Sequence, residues 1–243
     1  MATPLSFMDS NRRGFLSCCG AATAVGLVGA TSQSVLALDA LTREQRDALT
    51  PEEILAEAKA GNKRFLSGTP RERDFLREQA SSAAGQFPAA VLLSCIDSRA
   101  PAEIILDAGI GDTFNARIAG NIINDDIIGS MEFACAVAGA KLVLVMGHTA
   151  CGAVAGAIDG VELGYLTGLL GRIKPAIAKT EFTGDRTGKN PAFVDAVART
   201  NVLREVAQIR AQSEILRELE EKGAIKITGA MYDVSSGTVD FFD

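Results

Sequence analysis

Short unbroken apolar runs alternate along this chain with longer segments whose apolar residues recur every three or four positions. Residues 89–94 (Ala-Ala-Val-Leu-Leu-Ser) and 141–146 (Lys-Leu-Val-Leu-Val-Met) are runs of the first kind. Such runs predict strands buried on both faces, as in a parallel sheet. Residues 113–118 and 224–231 predict two more strands. Residues 237–242, after the Ser235-Ser236-Gly237 turn, predict a short antiparallel last one. Thr50-Pro51-Glu52-Glu53 reads as a helix start, with a capping hydroxyl, proline at the first position and acids in the first turn. Ile54, Leu55, Ala58, Phe65 and Leu66 then keep helical spacing to Ser67. That helix packs either on its own core or across a partner subunit. Residues 101–108 predict a helical turn, and residues 127–138, 153–180 (with glycine interruptions) and 191–223 predict helices. Residues 38–50 are polar and predict a mobile arm, and residues 83–86 and 181–190 predict loops. The sum is an α/β fold: a central, mainly parallel β-sheet flanked by helices, with an N-terminal helical arm. No repeat or Pro/Gly/Ser-rich linker divides residues 38–243, so they form one domain.

Residues 1–37 follow a different pattern. Arg12-Arg13-Gly14-Phe15-Leu16 precedes a small-residue and apolar stretch from Cys18 to about Ala30, and Val35-Leu36-Ala37 suits signal peptidase. This predicts an export signal of twin-arginine type, cleaved to leave no membrane span, and hence a bacterial periplasmic or otherwise exported enzyme. The apolar stretch is too rich in Gly, Ala, Thr and Ser for a good span.

Composition narrows the function. The 243 residues are 47% hydrophobic and 22% charged, which supports a sizeable core. A net charge of −6, no tryptophan and two tyrosines argue against nucleic acid as a partner. Of five cysteines, Cys18 and Cys19 leave with the signal. Cys95, Cys135 and Cys151 remain, an odd number that does not resemble a disulfide framework. Cys135 lies in an apolar helical segment and reads as a buried small hydrophobe.

The chemistry concentrates at two strand ends. Cys95 follows the first apolar run and opens Cys95-Ile96-Asp97-Ser98-Arg99. His148, the only histidine, follows the 141–146 run, three residues before Cys151. Ligands of open α/β sheets bind at such ends. Each residue alone reads as core, but together two thiolates and one imidazole form an ordinary three-ligand set for catalytic zinc. The helix that begins at Gly152 favours an anion at its start. Gly109-Ile110-Gly111 is no dinucleotide loop, because Phe114 stands where its third glycine belongs.

Cys95-Ile96-Asp97-Ser98-Arg99 together with His148-Thr149-Ala150-Cys151-Gly152 resembles the signature of β-class carbonic anhydrases. The likeness continues through residues 103–107, 117–121, 173–175, 201–202 and 229–233, and covers about Pro51 to the end. It implies one Zn(2+) per chain held by Cys95, His148 and Cys151, and reversible hydration of carbon dioxide to bicarbonate and a proton by attack of zinc-bound hydroxide. It implies that Asp97 orients the water and that Arg99 holds Asp97 off the metal; in some members this Asp swings onto zinc. Gln86, nine residues before Cys95, matches a Gln that donates to substrate in the plant-like branch. Phe114 and Phe133 match the apolar wall for carbon dioxide, and the Gly152 N–H matches an anion donor. The chain departs from the family at Phe133, where many members have Tyr, and at Ala100, where Val or Leu is common. The family forms homodimers, or tetramers built from dimers. Two other readings are a carbonyl sulfide or carbon disulfide hydrolase on the same fold, and a non-catalytic zinc or redox module.

Overall fold

The computed structural model describes residues 39–242. The predicted signal, residues 1–37, lies outside them. In chain order the elements are α1 (Arg43–Ala48), α2 (Pro51–Ser67), α3 (Phe75–Ser82), β1 (Ala90–Ser94), α4 (Ala102–Ile105), β2 (Thr113–Arg117), α5 (Asp125–Glu132), β3 (Leu142–His148), α6 (Gly152–Ile158), α7 (Gly164–Gly171), α8 (Lys174–Lys179), α9 (Pro191–Gln212), α10 (Glu214–Glu221), β4 (Lys226–Tyr232) and β5 (Val239–Phe242).

The five strands form one sheet in the order β2-β1-β3-β4-β5, parallel except for β5. Strand side chains point alternately to opposite faces. Val91, Leu93, Val143 and Val145 pack on one side with Phe193, Val197 and Val202 of α9. Leu92, Leu142, Leu144 and Met146 pack on the other with Ile54 and Leu55 of α2 and Ile105 of α4. Both faces are covered, so the central strands show unbroken apolar runs. From β1 the chain moves outward to β2, then returns past β1 to β3. The C-terminal ends of β1 and β3 therefore flank the point where strand order reverses, which is where open α/β sheets place ligands.

The expectation of a mobile arm at residues 38–50 is corrected. Thr42 and Gln45 cap α1 reciprocally. Arg46 is buried and its guanidinium donates to the Ala138 carbonyl, and Lys141 Nζ donates to the carbonyls of Asp47 and Leu49 at 2.8 and 2.7 Å. A buried cation with its donors used anchors the segment on its own chain. The α2 helix also sits on its own core. Its Asn62 side chain donates to the Ile105 and Gly237 carbonyls and accepts from Val239 N–H. Helix α3 is an addition: the Asp74 carboxylate accepts from the N–H groups of Leu76 and Arg77, and Glu78 is buried on Arg73 at 2.9 Å. The 153–180 segment divides into α6, α7 and α8, with Gly160 at φ 67° in the first break and Gly164 at φ 43° opening α7. The 191–223 segment breaks at Ser213, whose hydroxyl caps α10. The 127–138 segment ends in a π-helical turn over Phe133–Val137.

Candidate metal centre

Cys95, His148 and Cys151 are all buried, and their ligand atoms lie within 4.8 Å of one another. Cys95 stands one residue past β1 and His148 closes β3, its parallel neighbour. Beyond His148 the chain must turn sharply to present Cys151. Thr149 is pinned to the end of β4 by N–H donation to the Tyr232 carbonyl at 2.9 Å, and its hydroxyl accepts from Val234 N–H at 3.0 Å. Ala150 then takes a left-handed conformation, φ 53°, and Cys151 stands at the N-cap position of α6, its thiol making no capping hydrogen bond. On the other side Gly120 N–H donates to Cys95 Sγ at 3.3 Å from a 3₁₀ turn. Arg117, at the end of β2, donates to the carbonyls of Cys95 and Asp97 at 2.9 and 2.6 Å and so fixes the Cys95–Asp97 loop.

The electrostatics suit a cation. A hydrogen bond with the Cys151 thiol outweighs burial and brings the Cys95 thiol down to about 4, while the Cys95 thiolate pushes Cys151 up. Burial works most strongly against a charged His148, but the Cys95 thiolate, the Thr149 carbonyl and the Asp97 carboxylate together outweigh it and raise the imidazole. The three groups thus share protons, and Cys95, His148 and Cys151 would hold a divalent cation in place of those protons. His148 Nδ1 sits 2.9 Å from the Thr149 carbonyl, which fixes that nitrogen as the donor. Nε2 is left buried without a partner, as a metal-ligating nitrogen must be. Two sulfur donors and one nitrogen match a catalytic zinc set, so the residues fit that metal.

Asp97 lies at the edge of the trio, its Oδ2 3.8 Å from His148 Nε2. Arg99 grips it through backbone N–H, Nε and a terminal nitrogen at 2.9, 2.9 and 2.8 Å. That grip holds the Asp97 carboxyl well below the usual carboxylate range. The same Arg99 nitrogen reaches the Ala150 carbonyl at 3.2 Å. Gly152 is exposed beside Cys151 at the first turn of α6.

The remaining predicted residues are elsewhere in the chain. Gln86 is exposed on the loop before β1, so five strand residues, about 16 Å of rise, separate it from Cys95. Phe114 pairs in register with Val91, three residues short of the end of β2. It meets Phe133 edge-on at 6.1 Å, and the two line a separate cleft with Val91, Asp125 and Asp126. Cys135 is buried, and burial pushes its thiol up to about 12. Sequence reasoning assigned no site role to Gly120, Asn201 or Asp195. The first two are linked, because Asn201 of α9 donates to the Gly120 carbonyl at 2.9 Å. The likenesses at residues 117–121 and 201–202 point toward these two, and none covers Asp195.

A family model described as carbonic anhydrase matches residues 90–239, a span holding every residue of the trio and its supports. "Carbonic anhydrase 2" of Mycobacterium tuberculosis is 37% identical over 181 residues, covering 74% of this chain and 86% of its own. A carbonic anhydrase of Mycolicibacterium smegmatis is 32% identical, covering 75% and 88%. Among solved structures, the β-carbonic anhydrase CafA of Aspergillus fumigatus aligns with TM-score 0.61 at 28% identity, over 79% of this chain and 90% of that one. One of two tetrameric β-carbonic anhydrases from Sordaria macrospora aligns at 0.60 and 26%, over 79% and 94%. The strand order, the matched span and these relatives agree, and the chain belongs to the β-class carbonic anhydrase family.

Proposed function

We propose that this protein is a zinc-dependent carbonic anhydrase that interconverts carbon dioxide and bicarbonate with release of a proton. The observation that carries the reading is the buried Cys95–His148–Cys151 trio with an ionised carboxylate at its edge. When bound, zinc supplies a Lewis acid that lowers the pKa of a held water to about 7, a magnitude established on a carbonic anhydrase. Asp97 accepts the O–H of the attacking water and so points the oxygen lone pair at carbon dioxide. Arg99 keeps Asp97 ionised and turned from the metal, which favours an open site. Gly152, exposed at the start of α6, donates its N–H to bicarbonate.

Gln86, Phe114 and Phe133 need a second copy to reach the site. Phe133 is 49% exposed and β2 is an edge strand, so both can face another chain. We read the working enzyme as a homodimer or a tetramer in which those residues line a partner's metal centre. We also read residues 1–37 as an export signal on the strength of Arg12-Arg13 and the apolar stretch, which puts the enzyme in the periplasm. Among the described residues no helix is long and apolar enough to cross a membrane.

The decisive experiment is stopped-flow hydration on purified protein with metal analysis. One zinc per chain and rapid hydration are expected, and Cys95→Ser should lose both. Full activity in Cys95→Ser sinks the metal reading, and faster turnover of carbonyl sulfide or carbon disulfide replaces the substrate. Light scattering tests the oligomer. Cell fractionation of wild type and an Arg12→Lys, Arg13→Lys variant tests export.

A further inference from the structure

The turn between His148 and Cys151 depends on Ala150, an exposed non-glycine residue at φ 53°. An L-residue leaves this conformation unless its surroundings hold it. Two side chains from distant segments do so. Asp195 Oδ1 accepts the Ala150 N–H at 2.8 Å, and Arg99 donates to the Ala150 carbonyl at 3.2 Å. Asp195 rides on α9, whose Val194, Val197 and Ala198 are buried in the core, so its anchor is rigid. The Arg99 nitrogen on the carbonyl also binds Asp97. One continuous chain of contacts therefore runs from Asp195 through Ala150 and Arg99 to Asp97.

We propose that Asp195 is a positioning residue of the metal centre, holding the Ala150 turn so that His148 and Cys151 converge and Arg99 stays on Asp97. It touches neither metal nor substrate. Its oxygen matters as an acceptor of one N–H, so an amide can replace the carboxylate. The inference rests on the zinc reading above. Outer groups that orient metal ligands are worth about 10-fold to 100-fold in metal affinity.

The test compares wild type, Asp195→Ala and Asp195→Asn, each shown to be folded by circular dichroism. Zinc release to excess 4-(2-pyridylazo)resorcinol and the visible spectrum of the cobalt(II)-substituted protein are recorded. Asp195→Ala should hold zinc about 10-fold more weakly and shift the thiolate-to-cobalt bands. Asp195→Asn should restore both. Wild-type retention and an unshifted spectrum in Asp195→Ala overturn the proposal, as does equal damage in Asp195→Asn. Should Asp195→Ala not fold, Asp195→Glu, which moves the oxygen by one methylene, carries the same comparison. A wild-type chain that takes up no zinc overturns the functional reading, and this one with it.

Discussion

Asp97 and Arg99 form a partly exposed pair whose value is geometric. All three donors come from one residue, so the carboxylate is fixed in direction as well as in charge. The sign of the pH effect follows from the lowered pKa of Asp97. A depressed carboxyl contributes its stability above its unfolded value and loses it only as pH falls through the folded one. Asp97 therefore stays ionised well below the ordinary range, and its protonation sets no limb near neutrality. Arg99→Leu removes that grip, so the carboxyl rises back toward the ordinary range and is free to swing toward the metal. We expect kcat/KM to fall about 10²-fold at pH 8, with an acid limb that moves upward. A pH–rate series from 3 to 9 reads both effects, and an unmoved limb removes Arg99 from this role.

At the scale of elements, α9 supports the site without entering it. Its Asn201 holds the Gly120 carbonyl, and the buried Glu205 accepts from Ile123 N–H at 2.9 Å. Gly120 has φ 69°, and a Cβ there would meet Ile173 Cδ1 at 2.7 Å. Gly120→Ala should cost about 1–3 kcal/mol in denaturant unfolding through backbone strain and overpacking, and should loosen Cys95. A cost within error would mean that the turn relaxes freely. Burial raises the Glu205 carboxyl above its usual 4.5. Stability from this group is then complete below that value and falls as pH rises through the folded pKa. Glu205→Gln should flatten the decline of zinc-protein stability with rising pH above about 4.5, read by thermal melts across pH; parallel curves refute it. These supports also mark how far the sequence was legible. The central strands were readable because both faces are buried, and the trio was readable because it sits at their ends. Helix α3 was not, since Phe75 and Leu76 are exposed and leave no apolar stripe facing the core. Arg46 was hidden for the opposite reason: a charged residue in a polar stretch carries no sign that a distant carbonyl awaits it. Asp195, some 45 residues from its partner Ala150, becomes meaningful only when α9 folds against β3.

For the whole molecule the limiting resource is a proton carrier. The chain has one histidine, it is 1% exposed, and the proposed metal consumes its free nitrogen. Among the described residues the other groups near the trio do not titrate near neutrality: Asp97 is held low and Arg99 high. Cys135 is raised to about 12 and lies in the apolar core, so it offers no relay either. Each hydration cycle releases one proton, and without a side chain of pKa near 7 the proton must leave through water to an external base. The ordinary consequence is that proton export, rather than attack on carbon dioxide, limits kcat. Turnover should therefore rise with buffer concentration and saturate, while kcat/KM stays level, because that ratio excludes the export step. Introducing an exposed imidazole near the mouth of the site, as in Ile96→His at a residue 61% exposed, should raise kcat at low buffer and leave kcat/KM alone. Stopped-flow rates over a tenfold range of imidazole-type buffer decide the matter: a kcat indifferent to buffer means that protons have a route this chain does not display.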